Sequence, residues 1–317
     1  MKLLKWGLQS SPHQVSYGEL LQLWQRADAL GYDSAWLFDH FMPISGDPAG
    51  PCFEGWTMLT ALTMQTRRLH AGLLVTGAIY RNPAILAKMG ATLDVASGGR
   101  LEMGIGAGWF EGETRAYGLP FPPTGQRLAQ LDEAIQVVRK LWTQPASDFT
   151  GKYFNLTQAR CEPKPIQQPT PTIWVGGQGE RVTLRIVAQR ADGWDTDMLP
   201  LDLYRHKLEV LGEHCAKAGR DPASVRKMIH FSGVIAEDEA VVQQRVSALA
   251  RRWNTDPAGL EGRVLMGPPQ QAAERLLPYV ALGVEHFVLS LQAPYDMRMV
   301  EYYVNEVAAR VKAQARG

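Results

Sequence analysis

Short apolar runs closed by glycine, aspartate or proline alternate along this chain with longer segments whose apolar residues recur at helical spacing. That rhythm predicts parallel strands joined by crossover helices. The runs fall at 3–9, 35–39, 69–76, 101–106, 172–176, 193–196, 227–235 and 286–291, and most are continuously apolar rather than alternating. Continuous runs suit strands covered by helices on one face and packed with side chains on the other. Eight of them predict an α/β fold, a (β/α)8 TIM barrel, formed by one unit over residues 1–317.

The helical segments carry their own punctuation. At 17–30, Leu20, Leu21, Trp24, Ala27 and Leu30 share a face, and Gly31 follows as a stop. Asn82 and Pro83 open the segment 83–95 as cap and first helical residue. At 126–142, Leu128, Leu131, Ile135, Val138 and Leu141 repeat, with Pro145 just beyond. Further helices are predicted at 56–65, 180–190, 202–217, 238–253, 270–282 and 297–313. Two insertions interrupt the repeat. Residues 143–171 are rich in Pro, Gln and Thr and predict a hairpin around Thr150 and Gly151. Residues 254–269 are rich in Gly and Pro and read as an inserted loop, a candidate lid.

Composition narrows the chemistry. Of 317 residues, 45% are hydrophobic and 21% charged, the balance of a globular protein with a sizeable core. The net charge of +1 supplies no bulk field toward nucleic acid or an anionic membrane, so any phosphate site must be local. Cys52, Cys161 and Cys215 lie far apart without CxxC spacing, which argues against a metal centre or disulfide framework and suits a reducing cytoplasm. The opening apolar run is broken by Lys5 and Gly7, unlike a secretory signal, and no window approaches the ~18 apolar residues of a membrane span. A soluble cytoplasmic protein with a small-molecule partner is expected.

In a βα barrel the active site is assembled at the C-terminal ends of the strands. Four places there could carry chemistry. After the second strand come Asp39 and His40, and an imidazole at the mouth suits proton exchange near neutral pH. The third strand runs through Leu73 and Leu74 to Thr76 before the Asn82 helix start. The fourth ends in Gly104, Gly106 and Gly108 at alternate positions, where missing side chains would let a flat ring approach the backbone. Trp109 and Phe110 follow with aromatic surface, then the carboxylates Glu111 and Glu113. After the fifth strand, Gly176, Gly177, Gln178 and Gly179 precede a helix, an arrangement that points free amides and a helix dipole at an anion. Neither a Walker loop nor a Rossmann spacing is present. The remaining histidines, His230 among them, show no ligand spacing and read as structural or solvated.

Together, GYDSAWLFDHF, RNPAILAKMGATLDVASGGRLEMGIGAGWFEGE and PTIWVGGQGERVTLRIVAQRADGWD resemble the luciferase-like flavin and deazaflavin oxidoreductases along nearly the whole chain. The likeness is nearest to the branch that uses coenzyme F420. It implies that His40 acts in proton transfer beside a redox ring, with Asp39 next to it. It also implies a non-proline cis peptide near Leu73-Leu74, forming a bulge behind the ring. Thr76, Gly106, Ala107 and Gly108 would line the cofactor, and Gly176, Gly177, Gln178 and Gly179 would hold its ribityl phosphate. Trp109, Phe53, Trp56 and Glu111 are the candidate substrate contacts. Relatives that oxidise sugar phosphates or alcohols pair this histidine with a Trp four residues on and a Glu after the glycine turn; here those positions hold Ile44 and Trp109. That departure points toward reduction of an activated double bond or imine.

Three readings stay open on the residues alone. The first is F420-dependent hydride transfer. The second is an FMN-dependent monooxygenase fed by a partner reductase, since both cofactors share a tricyclic ring and ribityl phosphate. The third is a non-catalytic flavin-binding barrel. A homodimer is the assembly that the resemblance implies.

Overall fold

A computed structural model describes residues 3–315, so residues 1, 2, 316 and 317 of the expected unit lie outside it. Its strands are β1 (Lys5–Ser10), β2 (Ser34–Leu37), β3 (His70–Leu73), β4 (Thr76–Gly77), β5 (Leu101–Gly106), β6 (Ser147–Thr150), β7 (Asn155–Ala159), β8 (Thr172–Gly176), β9 (Gly193–Asp197), β10 (Arg226–Ile235), β11 (Val264–Gly267) and β12 (His286–Leu291). The main helices are α1 (Tyr17–Leu30), α2 (Gly55–Met64), α3 (Pro83–Ser97), α4 (Glu111–Ala116), α5 (Thr124–Thr143), α6 (Thr183–Arg190), α7 (Leu201–Lys217), α8 (Glu239–Arg252) and α9 (Pro269–Ala281). A last pair, α10 (Met297–Tyr302) and α11 (Ala308–Gln314), is joined through a π-helical turn.

Parallel pairing runs β1, β2, β3 with β4, β5, β8, β9, β10, β12 and back to β1, which closes an eight-stave barrel. The predicted (β/α)8 TIM barrel is therefore the observed fold. Local chemistry explains the precision of the helix ends. Ser16 and Glu19 form a reciprocal cap on α1, and Gly31 ends it in the left-handed region at φ 88°. Asn82 caps α3 ahead of Pro83, as its sequence requires.

Two cores result. One lies between staves and helices, around Leu8, Leu20, Trp24, Ile135 and Leu289. The other fills the barrel with Trp36, Leu74, Trp174, Met228 and Val288. The barrel's N-terminal end is closed by charge. Lys5 lies 3.7 Å from Glu102, Trp174 donates to Glu102 at 2.6 Å, and Arg226 sits over the Trp174 ring. Burial opposes ionisation of Glu102, but His70, Lys5 and Arg226 outweigh it and hold its pKa at about 2. His286 beside them is pushed down to about 3 by burial and stays neutral.

The structure departs from expectation in two stretches. The third stave splits into β3 and β4 around a bulge. Residues 254–269, expected to form a lid, instead hold a short 3-10 turn and the buried strand β11. Val264 to Gly267 pair with Ser232 to Ile235, the upper half of β10, while the lower half, Met228 to Ser232, pairs with β12. Val264, Met266 and Leu260 pack on Val242 and Val246 of α8, so apolar burial pins this segment down. The hairpin predicted around Thr150 and Gly151 is present as β6 and β7. No helix among the described residues is long and apolar enough to cross a membrane.

Candidate active site

β2 delivers its chain to the mouth at Phe38, Asp39 and His40, all buried. His40 Nδ1 lies 2.6 Å from Oε1 of Glu113, a fully buried carboxylate on α4. Glu113 is crowded with donors. Tyr80 donates its hydroxyl at 2.5 Å, and the amides of Phe41 and Met42 donate at 2.8 and 3.4 Å. Burial pushes this carboxyl up, but the hydrogen bonds from His40 and Tyr80 prevail and hold it below its usual range. An ionised Glu113 can only accept, so Nδ1 of His40 carries the hydrogen and Nε2 is the nitrogen left for chemistry. Nε2 meets no protein partner among the described residues.

Asp39 faces the other way. Its carboxylate accepts from Thr76 at 2.5 Å and from both terminal nitrogens of Arg81 at 2.5 and 3.1 Å. Arg81 also pairs with Glu54, the cap of α2, and Trp56 donates to Thr76 at 3.3 Å. Asp39 and Thr76 thus anchor the loop that presents His40 rather than facing the mouth. Trp56, expected on the substrate wall, is buried in the core. Its indole nitrogen needed a buried acceptor, and Thr76 supplies one.

The glycines of β5 have a different purpose from the one expected. A Cβ on Gly104 would fall 2.0 Å from the Leu73 carbonyl oxygen, and one on Gly106 would fall 2.7 Å from Val75 Cγ2. Gly176 of β8 accommodates the same valine, at 2.8 Å, and Gly108 makes room for Ile79. These bare surfaces seat the bulge between β3 and β4. The bulge holds a cis peptide at Leu74-Val75, one residue beyond the expected pair. Gln9 donates to the Leu74 carbonyl at 3.0 Å and accepts from Ser290 at 2.8 Å, tying the bulge across the barrel floor.

Beyond β8 the chain turns through Gly177, at φ 126°, where a side chain would be strained. The Gly177 amide donates to the Asp195 carbonyl and its own carbonyl accepts from Trp194, which fixes the root of the loop. Further on, the amides of Gln178, Gly179, Glu180, Arg181 and Val182 find no acceptor among the described residues. They lead into α6, whose start has no side-chain cap. Uncapped amides on a glycine turn before a helix are what a phosphate group needs, and a ribityl phosphate fits this cradle. Gln178 donates its side-chain amide to Asp197 at 3.0 Å.

The wall beside His40 is aromatic. Trp109, 62% exposed, stacks on Phe110 at 5.3 Å and meets the His40 ring edge-on at 5.5 Å. Phe53 and Ala107 are partly buried against the core nearby. The thiol of Cys52 donates to the His40 carbonyl at 3.5 Å, and its pKa is pushed up to about 12 by burial and the neighbouring carboxylates. Glu111 is corrected: it points to solvent and pairs with Arg115. α4 starts at Glu111, and two residues of helix turn about 200°, which sends Glu113 inward and Glu111 out. The sequence sets Glu113 beside Glu111 with nothing to mark its inward role, and it carries no signal for Tyr80, Arg81 or Gln9.

A closed βα barrel with an imidazole and an anion cradle at its strand C-termini defines a cofactor-binding enzyme class. The chain belongs to the luciferase-like monooxygenase family, whose model it matches over residues 3–286. It is 34% identical over 241 residues to an F420-dependent glucose-6-phosphate dehydrogenase of Kineococcus radiotolerans, covering 75% of this chain and 70% of that one. A second enzyme of that name, from Rhodococcus jostii, is 29% identical over 98% of both chains. Among solved structures, an F420-dependent secondary alcohol dehydrogenase in complex with an F420-acetone adduct superposes with a TM-score of 0.85, at 21% identity, over 97% of this chain and 99% of that one. That likeness is one of fold.

Proposed function

We propose that this protein is an F420-dependent oxidoreductase that moves hydride between the deazaflavin and a small organic substrate at the barrel mouth. The curated relatives are F420-dependent enzymes, and the cradle after β8 suits the cofactor's phosphate. When bound, the deazaflavin supplies the carbon that carries the hydride. The protein supplies the rest. Gln178 to Val182 bind the phosphate through their amides. The Val75 bulge, wedged on Gly104, Gly106 and Gly176, gives a rigid apolar floor. Trp109 and Phe110 cover His40 and exclude water from its surroundings.

The carrying observation is the bond between His40 and Glu113. It fixes the tautomer, so His40 receives or delivers a proton at Nε2, and the carboxylate on Nδ1 stabilises the imidazolium that results. Separate calorimetric titrations with F420 and with FMN test the assignment. F420 binding is expected. Tight FMN binding with none of F420 would instead establish a flavin monooxygenase. His40→Ala should keep its affinity for F420 and lose turnover by on the order of 10²-fold or more.

A further inference from the structure

Strand alternation and register bring a second histidine to the mouth. Asp195 and Asp197 share the inward face of β9, and β10 sets His230 directly beside Asp197. In barrel order β9 lies four staves from β2, so this group stands across the mouth from His40. His230 Nδ1 lies 3.0 Å from Oδ1 of Asp195, and its Nε2 lies 3.1 Å from Oδ1 of Asp197. With a carboxylate on each nitrogen, the ring carries both hydrogens and is a cation. The two carboxylates differ. The Asp195 side chain is buried, whereas that of Asp197 is 71% exposed. The other oxygen of Asp197 accepts from Gln178, a member of the anion cradle.

An exposed carboxylate at the edge of a phosphate site opposes the anion unless a neighbouring cation offsets its charge. We propose that His230 is a positioning residue for the cradle: as imidazolium it holds Asp197 against Gln178 and masks the negative charge that would otherwise confront the bound phosphate. This inference rests on the F420 reading. Burial alone would lower the pKa of His230, but Asp195 and then Asp197 raise it well above its ordinary value, so the mask is in place at neutral pH. No other titratable group is set against the ring among the described residues. β12 brings Val288 opposite it, followed by Ser290, and Met198 reaches it only through a backbone amide bound to its carbonyl.

The sign follows. The mask is complete below the raised pKa of His230 and is lost as pH climbs through it, so affinity for F420 should fall toward alkaline pH. Unmasking one charge beside the Gln178 cradle in a half-solvated site is worth roughly tenfold in Kd. Calorimetric titration of the full-length protein with F420 from pH 6 to pH 10 reads it. Wild-type affinity should weaken as pH climbs through the raised pKa of His230, by about tenfold once the ring is neutral. Asp197→Asn, which keeps the contact to Gln178 without the charge, should bind tightly with a flat profile. His230→Gln should bind about tenfold more weakly at pH 6, and adding Asp197→Asn should restore it. A His230→Gln variant as tight as wild type at pH 6, or one that Asp197→Asn does not restore, overturns the proposal while the cofactor assignment stands. Absence of F420 binding at every pH removes the cofactor assignment, and this proposal with it.

Discussion

Replacing Glu113 with glutamine asks whether the imidazole at the mouth is held by charge or only by packing. The carboxylate accepts from His40 and Tyr80 on one oxygen and from the amides of Phe41 and Met42 on the other. A glutamine keeps the shape but has a single oxygen, so one pair of donors must then face an NH2 group. Charge-assisted bonds contribute about 1.5–3 kcal/mol each, and a buried donor left unmatched costs a similar amount. Losing two of them predicts a destabilisation of about 3–6 kcal/mol. At on the order of 2 °C per kcal/mol for a chain of this size, Tm should drop by about 6–12 °C. The chemical consequence depends on which way the amide turns. If its nitrogen faces His40, Nδ1 must accept, Nε2 carries the hydrogen, and the basic lone pair leaves the mouth. Turnover should then fall on the order of 10²- to 10³-fold, with F420 affinity nearly unchanged. Calorimetric unfolding and turnover with F420, both followed against pH, measure the two effects. Because the pKa of Glu113 is depressed in the fold, its stabilisation is present above the ordinary carboxylate range and is lost as pH falls through the folded value. The glutamine variant should lack that acid-sensitive limb. Wild-type Tm and turnover in Glu113→Gln would show that the residue merely fills space.

Gly104→Ala sets a Cβ against the Leu73 carbonyl and should cost about 3 kcal/mol or more; an unchanged urea midpoint would contradict the seating of the bulge. Gly212, inside α7, has nothing within 4 Å of an added Cβ, so Gly212→Ala should raise stability by roughly 0.5–1 kcal/mol. Chemical denaturation of the two variants side by side gives the contrast. Trp109→Ala should raise KM severalfold with little change in Tm, since the indole is mostly exposed; a large fall in Tm would place it in the core instead.

The barrel was legible because its signals are local and repeated. Each stave is a short apolar run, and Gly31 and Asn82 mark helix ends by their own backbone angle and hydrogen bonding. His40 and the glycine turn after β8 stand out for the same reason, just past strand ends, but Gly176 seats Val75 and the Gly177 amide is bound to Asp195, so of the four expected cradle residues only Gln178 and Gly179 keep free amides among the described residues. What escaped depends on tertiary neighbours. Nothing local says that Gly104, Gly106 and Gly176, on two different strands, share one valine. The choice between Glu111 and Glu113 turns on where α4 begins, and helix starts without a Ser, Thr, Asp or Asn cap are poorly marked in sequence. β11 was hidden by its flanking glycines and prolines. Its four residues are apolar, but a run that short is outweighed by turn signals on either side. His230 was passed over because an acid–imidazole–acid chain built across two strands leaves no motif in either one.

The fork in β10 separates two tasks. Below Ser232 the strand belongs to the ring of staves that supports His230 and the floor of the mouth; above it, the strand turns to β11 and its attached helix. Everything grafted onto the upper branch hangs from one rim of the cup. A change in the insert therefore meets the barrel at and above Ser232, on strand positions other than the one that carries His230.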